Sequence, residues 1–286
     1  MRTQLLVQTK TGVGTYKMEF GEEKKMMGYQ KSNLLRDIET MHLDPGGTLL
    51  IHSSMKSIGK VEGGADTVLD AWCEYMKDGL LVFPTHTWAQ IGRGSPVFDS
   101  RTEPSCVGIL PELFRHRPGA VRSLHPTHSV AAIGKDAAVF TAGEEKMTTP
   151  CGREGCWGRL LDRDATILFL GCTLRSNTFI HGVEEWNGIP LRLTEDTEEL
   201  ISINSQGRRY SISMHRHYCP YCSDISQNYG KLEEPFRRLD AIQYRKFGDA
   251  LCIVGNARRM AAITSALLQR EPQLFLDNSP IPANWY

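Results

Sequence analysis

No apolar stretch in this 286-residue chain approaches the about 20 residues that a membrane-spanning helix needs, which excludes a spanning segment. Net charge is lacking as well. The 33 Lys and Arg balance the 33 Asp and Glu, so no global field draws the chain to nucleic acid or an anionic membrane, and a charged ligand must be recognised locally. The opening MRTQLLVQTKTGVG lacks the apolar core and small-residue cleavage site of a secretory leader. Without that leader, the eight cysteines in so long a chain do not make a disulfide framework. Internal repeats and low-complexity linkers are also missing. These absences leave a cytoplasmic protein with a small-molecule site, expected as a monomer or homodimer.

Several short apolar runs are present, each closed by a glycine, a proline or small polar residues. TLLIHSS (48–54), LLVFPT (80–85), HSVAAIG (128–134) and ATILFLG (165–171) have strand length. Helical patterns alternate with them. GGADTVLDAWCEYMKDG places Val68, Leu69, Trp72, Tyr75 and Met76 on one face; VGILPELFRHRP, the stretch after Thr178 and ARRMAAITSALLQR follow. The alternation predicts an α/β architecture with a sheet covered on both faces. ELISIN and YSISMH, around the turn NSQGRR, read as a late hairpin, so a mixed sheet is expected. Residues 1–26 are weakly patterned and are expected to be an extension to a single domain of residues 27–286. The purine-rich codons that GEEKKM admits are consistent with a translation start at Met26 or Met27.

Three stretches together resemble one known family, the aminoglycoside 3-N-acetyltransferases, or antibiotic N-acetyltransferases. They are IHSSMKSIGKVEGGADTVLDA (51–71), PGAVRSLHPTHSVAAIGKDA (118–137) and ILFLGCTLRSNTFIHGVEE (167–185), with LVFPTHT and GILPELFR between them in order. The resemblance covers about residues 28–276. It implies acetyl-CoA-dependent transfer to an amine, foremost an aminoglycoside 3-amino group, in a three-layer α/β/α fold unrelated to the GNAT superfamily. No Arg/Gln-x-x-Gly-x-Gly pyrophosphate loop supports the GNAT alternative. A different small amine as acceptor, or a member with weak or no activity, also fits the resemblance.

CoA carries phosphates, which backbone amides in small-residue loops and helix N-termini hold well. The loop His52, Ser53, Ser54, Met55, Lys56 and Ser57 offers hydroxyls and a cation ahead of a helix. Arg122, Ser123, His125 and Ser129 from the second stretch are expected beside it, and Thr178 is a candidate donor to the oxyanion. Serine-rich loops are also ordinary turn chemistry.

His181 is the candidate base, because an ammonium must lose a proton before it attacks a thioester and an imidazole suits that task. A histidine behind Phe179 and Ile180 could equally be core filler. His125 and His128 compete for the role. Relatives, as the resemblance implies, support the base with a carboxylate some 33 or 34 residues later; here that window reads SMHRHYCPYCSD, with no carboxylate before Asp224. Glu184, one helical turn from His181, or His217 is expected to take its place. In the same window His215, His217, Cys219 and Cys222 form H-x-H-x-C-x-x-C, a candidate zinc site. LTEDTEEL (193–200) adds four carboxylates that a polycationic acceptor could use.

Overall fold

The computed structural model describes residues 28–286. The expected extension, residues 1–26, and the starts at Met26 or Met27 lie outside the described residues. The helices in chain order are α1 (Lys31–Glu39), α2 (Gly64–Tyr75), α3 (Ile109–Phe114), α4 (Ala137–Thr141), α5 (Cys156–Asp162), α6 (Thr178–Trp186), α7 (Glu233–Arg238) and α8 (Ala257–Arg270). The strands are β1 (Thr48–Ser53), β2 (Leu80–Pro84), β3 (Val97–Asp99), β4 (Val121–Arg122), β5 (Val130–Gly134), β6 (Thr166–Leu170), β7 (Glu198–Ile203), β8 (Arg209–Met214), β9 (Ile242–Phe247) and β10 (Ala250–Asn256).

Seven strands form the main sheet in the order β4-β5-β2-β1-β6-β10-β9. β1 lies at its centre, parallel to β2 on one side and to β6 on the other. Successive side chains of a strand point to opposite faces, and the core divides accordingly. Leu49, Ile51, Leu81, Phe83, Leu168 and Leu170 pack with Leu34, Trp72 and Phe114 from α1, α2 and α3. Leu50, Val82, Ile167 and Phe169 pack with Trp157, Phe179, Val183 and Met260 from α5, α6 and α8. That division is the three-layer α/β/α arrangement. It also explains why the central strands read as continuous apolar runs, since both of their faces are covered.

The hairpin expected at 198–214 is present, with Asn204 Oδ1 accepting from the amides of Gln206 and Arg208. It joins a separate three-stranded sheet, β3-β7-β8, and not the main one. The main sheet is mixed for another reason: β4, β5 and β10 are antiparallel to their neighbours. The β9–β10 hairpin that supplies one edge turns on the two-residue loop Gly248–Asp249 and runs into the apolar stretch Ala250–Val254, signals that the reading of the sequence passed over.

A glycine fixes how the ends of β1 and β6 meet. Gly171 has φ 68°, and a Cβ there would lie 2.5 Å from Ser57 Cβ, so the turn after β6 can close on the loop after β1. Ser57 Oγ donates to Gly171 O at 2.9 Å and completes the contact. Among the described residues no helix is long and apolar enough to cross a membrane. Because Leu50 is 0 % exposed at the centre of the sheet, Leu50→Ala is expected to cost about 2–5 kcal/mol in urea unfolding. Val139→Ala, at a side chain 68 % exposed, should change stability by less than about 0.5 kcal/mol.

Candidate active site

A cleft of about 490 Å³ opens at the C-terminal ends of the parallel strands, within the size range of small-molecule sites. β1 contributes His52 and Ser53, β2 leads into Pro84 and His86, and the loop after β6 brings Arg175 and Ser176. α6 contributes Thr178 and His181. The stretch after β8 supplies Arg216, His217, Tyr218 and Cys219, while Asp224 and Ser226 close the wall. This is where parallel α/β sheets present their sites, because loops diverge to opposite faces beside a central strand.

His181 does not touch its helical neighbour Glu184 directly. Their nearest atoms, His181 Nδ1 and Glu184 Oε2, are 3.8 Å apart, and the Tyr229 hydroxyl stands between them. Tyr229 donates to Glu184 Oε2 at 2.5 Å, and its oxygen lies 2.7 Å from His181 Nδ1. A phenol has one proton. With that proton committed to the carboxylate, the oxygen is left to accept Nδ1–H from His181, which leaves Nε2 unprotonated and able to take a proton. Arg192 completes the chain by donating from Nε to Glu184 Oε1 at 2.5 Å. Both partners of this ion pair are nearly fully buried. Burial pushes the Glu184 carboxyl up, against the pull of Arg192 and Tyr229.

Other histidines crowd His181. His217 stacks on His181 with centroids 4.2 Å apart and an interplanar angle of 21°, His128 meets His217 edge-on, and His86 lies 4.8 Å from His128. Burial drives the pKa of His52 and His217 down to about 3 and that of His125 to about 4. It also holds His86, His128 and His181 well below the usual value, with neighbouring imidazoles adding to the effect. These rings are neutral at physiological pH. His86 Nε2 lies 3.2 Å from Thr178 Oγ1, while its buried Nδ1 has no partner. An orphaned lone pair costs less than an orphaned N–H, so Nε2 carries the proton and donates to Thr178, whose own hydroxyl proton can point into the cleft.

The expected site residues separate into two groups. His52, Ser53, Thr178, His181 and His217 line the cleft. Ser54, Met55, Lys56 and Ser57 form a one-turn 3-10 segment beyond it, where Ser57 Oγ spends its proton between Ser54 Oγ and Gly171 O. Arg122 is not a free phosphate ligand: its guanidinium donates to Thr85 O and Glu103 O and lies over Phe98. Ser123 Oγ accepts from the Val130 amide, Ser129 Oγ donates to Thr85 O, and His125 Nδ1 accepts from the amides of Thr127 and His128. These side chains brace the wall behind the cleft.

His217 cannot hold His181 in place, because stacked rings offer no in-plane hydrogen bond; its Nε2 pairs instead with Glu185 Oε1 at 2.8 Å. The four-residue zinc set does not converge. His215 Nδ1 bonds the Thr194 carbonyl, His217 turns to Glu185, and Cys219 and Cys222 face each other with sulfurs 2.8 Å apart. Tyr229, Arg192, Glu185, His86 and Asp224 are the site residues that sequence reasoning missed. Asp224 is the carboxylate of the cleft wall. Burial raises its pKa, yet the Ser226 hydroxyl and amide outweigh that, and it stays below the ordinary range.

The neutral histidines give stability a pH dependence of definite sign. Below about pH 6.5, the unperturbed value, the unfolded chain protonates His52, His86, His125, His128, His181 and His217 while the fold resists it. Glu144 and Glu185, raised by burial to about 7, oppose this by holding protons that the unfolded chain has lost. Six groups outweigh two. The melting temperature should therefore fall as pH is lowered from 6.5 to 5.5; a flat or rising profile would show that the fold accepts charge on these rings.

Comparison with known proteins agrees with this geometry. The aminoglycoside 3-N-acetyltransferase family matches residues 50–269. Aminoglycoside N(3)-acetyltransferase VII of Streptomyces paromomycinus is 30 % identical over 195 residues, covering 62 % of this chain and 67 % of the relative. Aminoglycoside N(3)-acetyltransferase VIII of Streptomyces fradiae is 31 % identical over 198 residues, covering 63 % and 68 %. Among solved structures, AAC-IIIb in binary complex with CoASH superposes with a TM-score of 0.73 at 20 % identity, over 90 % of this chain and 100 % of that one. With the match spanning both faces of the sheet and the cleft at its centre, the chain belongs to the aminoglycoside 3-N-acetyltransferase family.

Proposed function

We propose that the protein transfers the acetyl group of acetyl-CoA to an amine, foremost the 3-amino group of an aminoglycoside, with His181 as general base. The observation that carries this reading is the chain His181–Tyr229–Glu184–Arg192, which presents a neutral imidazole to the cleft with its far nitrogen held. His181 Nε2 takes the ammonium proton, and the freed amine attacks the thioester carbonyl. The C–N bond forms first to give a tetrahedral centre; the C–S bond then breaks, and the thiolate leaves as CoA with the proton that the acylated nitrogen gives up. The Thr178 hydroxyl is the donor for the transient oxyanion. The positive charge left on His181 is stabilised by the Glu184 carboxylate through Tyr229, and by Asp224, which favours the protonated ring. Arg175, exposed at the rim and only 3.5 Å from Asp224, is available to a CoA phosphate. The names of the family relatives support the acceptor, and a relative crystallised with CoASH supports the donor.

One observation favours a second reading, an amine of lower charge than an aminoglycoside. With Arg192 neutralised by Glu184, the cleft wall carries Arg175 and Arg216 against the single carboxylate Asp224, while the acidic residues Glu195, Asp196 and Glu199 are exposed and do not line it. Acetyl-CoA turnover with a panel of aminoglycosides and small monoamines separates the two.

His181→Ala is expected to lower acetyl transfer by at least about a hundredfold while CoA binding, measured by calorimetry, survives; near-normal turnover would remove His181 from the base role. Tyr229→Phe keeps the ring and deletes the hydroxyl. It should lower kcat about tenfold or more, with the KM for acetyl-CoA unchanged, since it frees the tautomer of the base without touching the donor. An unchanged kcat would mean that the Tyr229 hydroxyl does not position His181.

A further inference from the structure

The adjacent glutamates of α6 are both buried, yet only one is explained by its partners. Glu184 has Arg192. Glu185, its side chain 5 % exposed, accepts from the Cys151 amide and pairs with His217 through Oε1, while Oε2 is sealed from solvent with no hydrogen-bond partner. His217 is neutral, so neither contact carries a full positive charge. A buried carboxylate in that position is costly unless a cation joins it or it keeps a proton.

The missing cation has ligands waiting. Cys151 is held against α6 because Gly182 leaves room for it: a Cβ at Gly182 would lie 3.3 Å from Cys151 Cβ. Trp186 Nε1 donates to Cys151 O at 2.8 Å and locks the approach. The ligand atoms of Cys151, Glu185 and His217 all lie within 4.8 Å of one another. We propose that Cys151, Glu185 and His217 bind a thiophilic divalent cation of the Zn²⁺ type. Ligands around one zinc at about 2.0–2.3 Å are about 3.5 Å apart in a tetrahedron, so the three need to close by at most about 1.3 Å. The set is also balanced in charge. One thiolate and one carboxylate neutralise the dication, and a neutral imidazole completes the three, which suits a buried site.

The proton balance is simple. Cys151 releases its thiol proton to solvent, and the Nε2 proton of His217 passes to Nδ1, so that the Nε2 lone pair can bind the ion. The fourth position is left to water or another exogenous ligand. The site differs from the H-x-H-x-C-x-x-C set: it shares His217 but draws its sulfur from Cys151. It lies behind the ring stacked on His181, so the bound ion would fix His217 without touching the base.

Cobalt(II) is the probe, because its d–d bands report geometry and a thiolate ligand adds a near-ultraviolet charge-transfer band. The full-length chain, stripped of metal and kept reduced, is titrated with Co²⁺. The expected result is one equivalent bound with the charge-transfer band, retained when Cys219→Ser and Cys222→Ser are combined. Cys151→Ser should abolish the band, and Glu185→Gln should weaken binding at least about tenfold; circular dichroism confirms that each variant is folded, and Glu185→Gln carries the test if Cys151→Ser does not fold. Failure of the native chain to bind stoichiometrically would overturn the proposal and leave Glu185 as a protonated acid. A band that survives Cys151→Ser and disappears with Cys219→Ser and Cys222→Ser would also overturn it. The readout is spectral, so its outcome is independent of acetyl transfer.

Discussion

The Glu184–Arg192 ion pair anchors the site. Glu184 and Arg192 are 1 % and 3 % exposed, and a charge so deep in the protein survives only when paired and hydrogen-bonded. Removing either partner would cost about 3–5 kcal/mol, because the other would be stranded. The pair does more than hold α6 to the segment after it. By keeping Glu184 ionised it makes that carboxylate the best acceptor within reach of Tyr229, which commits the phenol proton and turns the phenol oxygen toward His181. The orientation of His181 is thus set two residues away, by an electrostatic choice made in the core.

The histidine cluster depends on that arrangement. Buried imidazoles are neutral, and the neutral His217 ring stacked on His181 adds no fixed positive charge beside it. Six of the nine histidines of the chain gather here. The full charges near them divide by position: arginines are distributed around the wall, and Asp224 stands where a protonated His181 would feel it.

Much of the fold was legible. The runs at β1, β2, β5 and β6 stood out because both faces of the central sheet are covered, and α8 spans the very residues, 257–270, whose periodicity announced it. The β9–β10 hairpin was legible too, in the Gly248–Asp249 turn and the apolar run after it, but β9 itself shows no regular alternation and the pair was passed over. The assignment of β7 and β8 to a second sheet was hidden, since which strands pair is a long-range outcome that hairpin chemistry does not carry. In the site, the place of His181 in the cleft was legible from the motif around it. Arg122, Ser123 and Ser129 misled for a physical reason: a polar residue in a motif can serve the wall instead of the ligand, and here each is consumed by hydrogen bonds to its own backbone neighbourhood.

The sequence by itself determined the class of the protein, the succession of its central strands and helices along the chain, the family, and the helix that carries His181. These follow from local patterns: periodicity, turn residues and motif spacing. Only the tertiary structure decided how His181 is held. Tyr229 meets His181 across 48 residues of chain and Glu184 across 45, and Cys151 reaches Glu185 across 34. Contacts of such separation are set by how layers pack, not by any local signal. A phenol placed between imidazole and carboxylate leaves no mark in spacing, because its role exists only once burial has made the carboxylate charge scarce and the geometry has made it unavoidable.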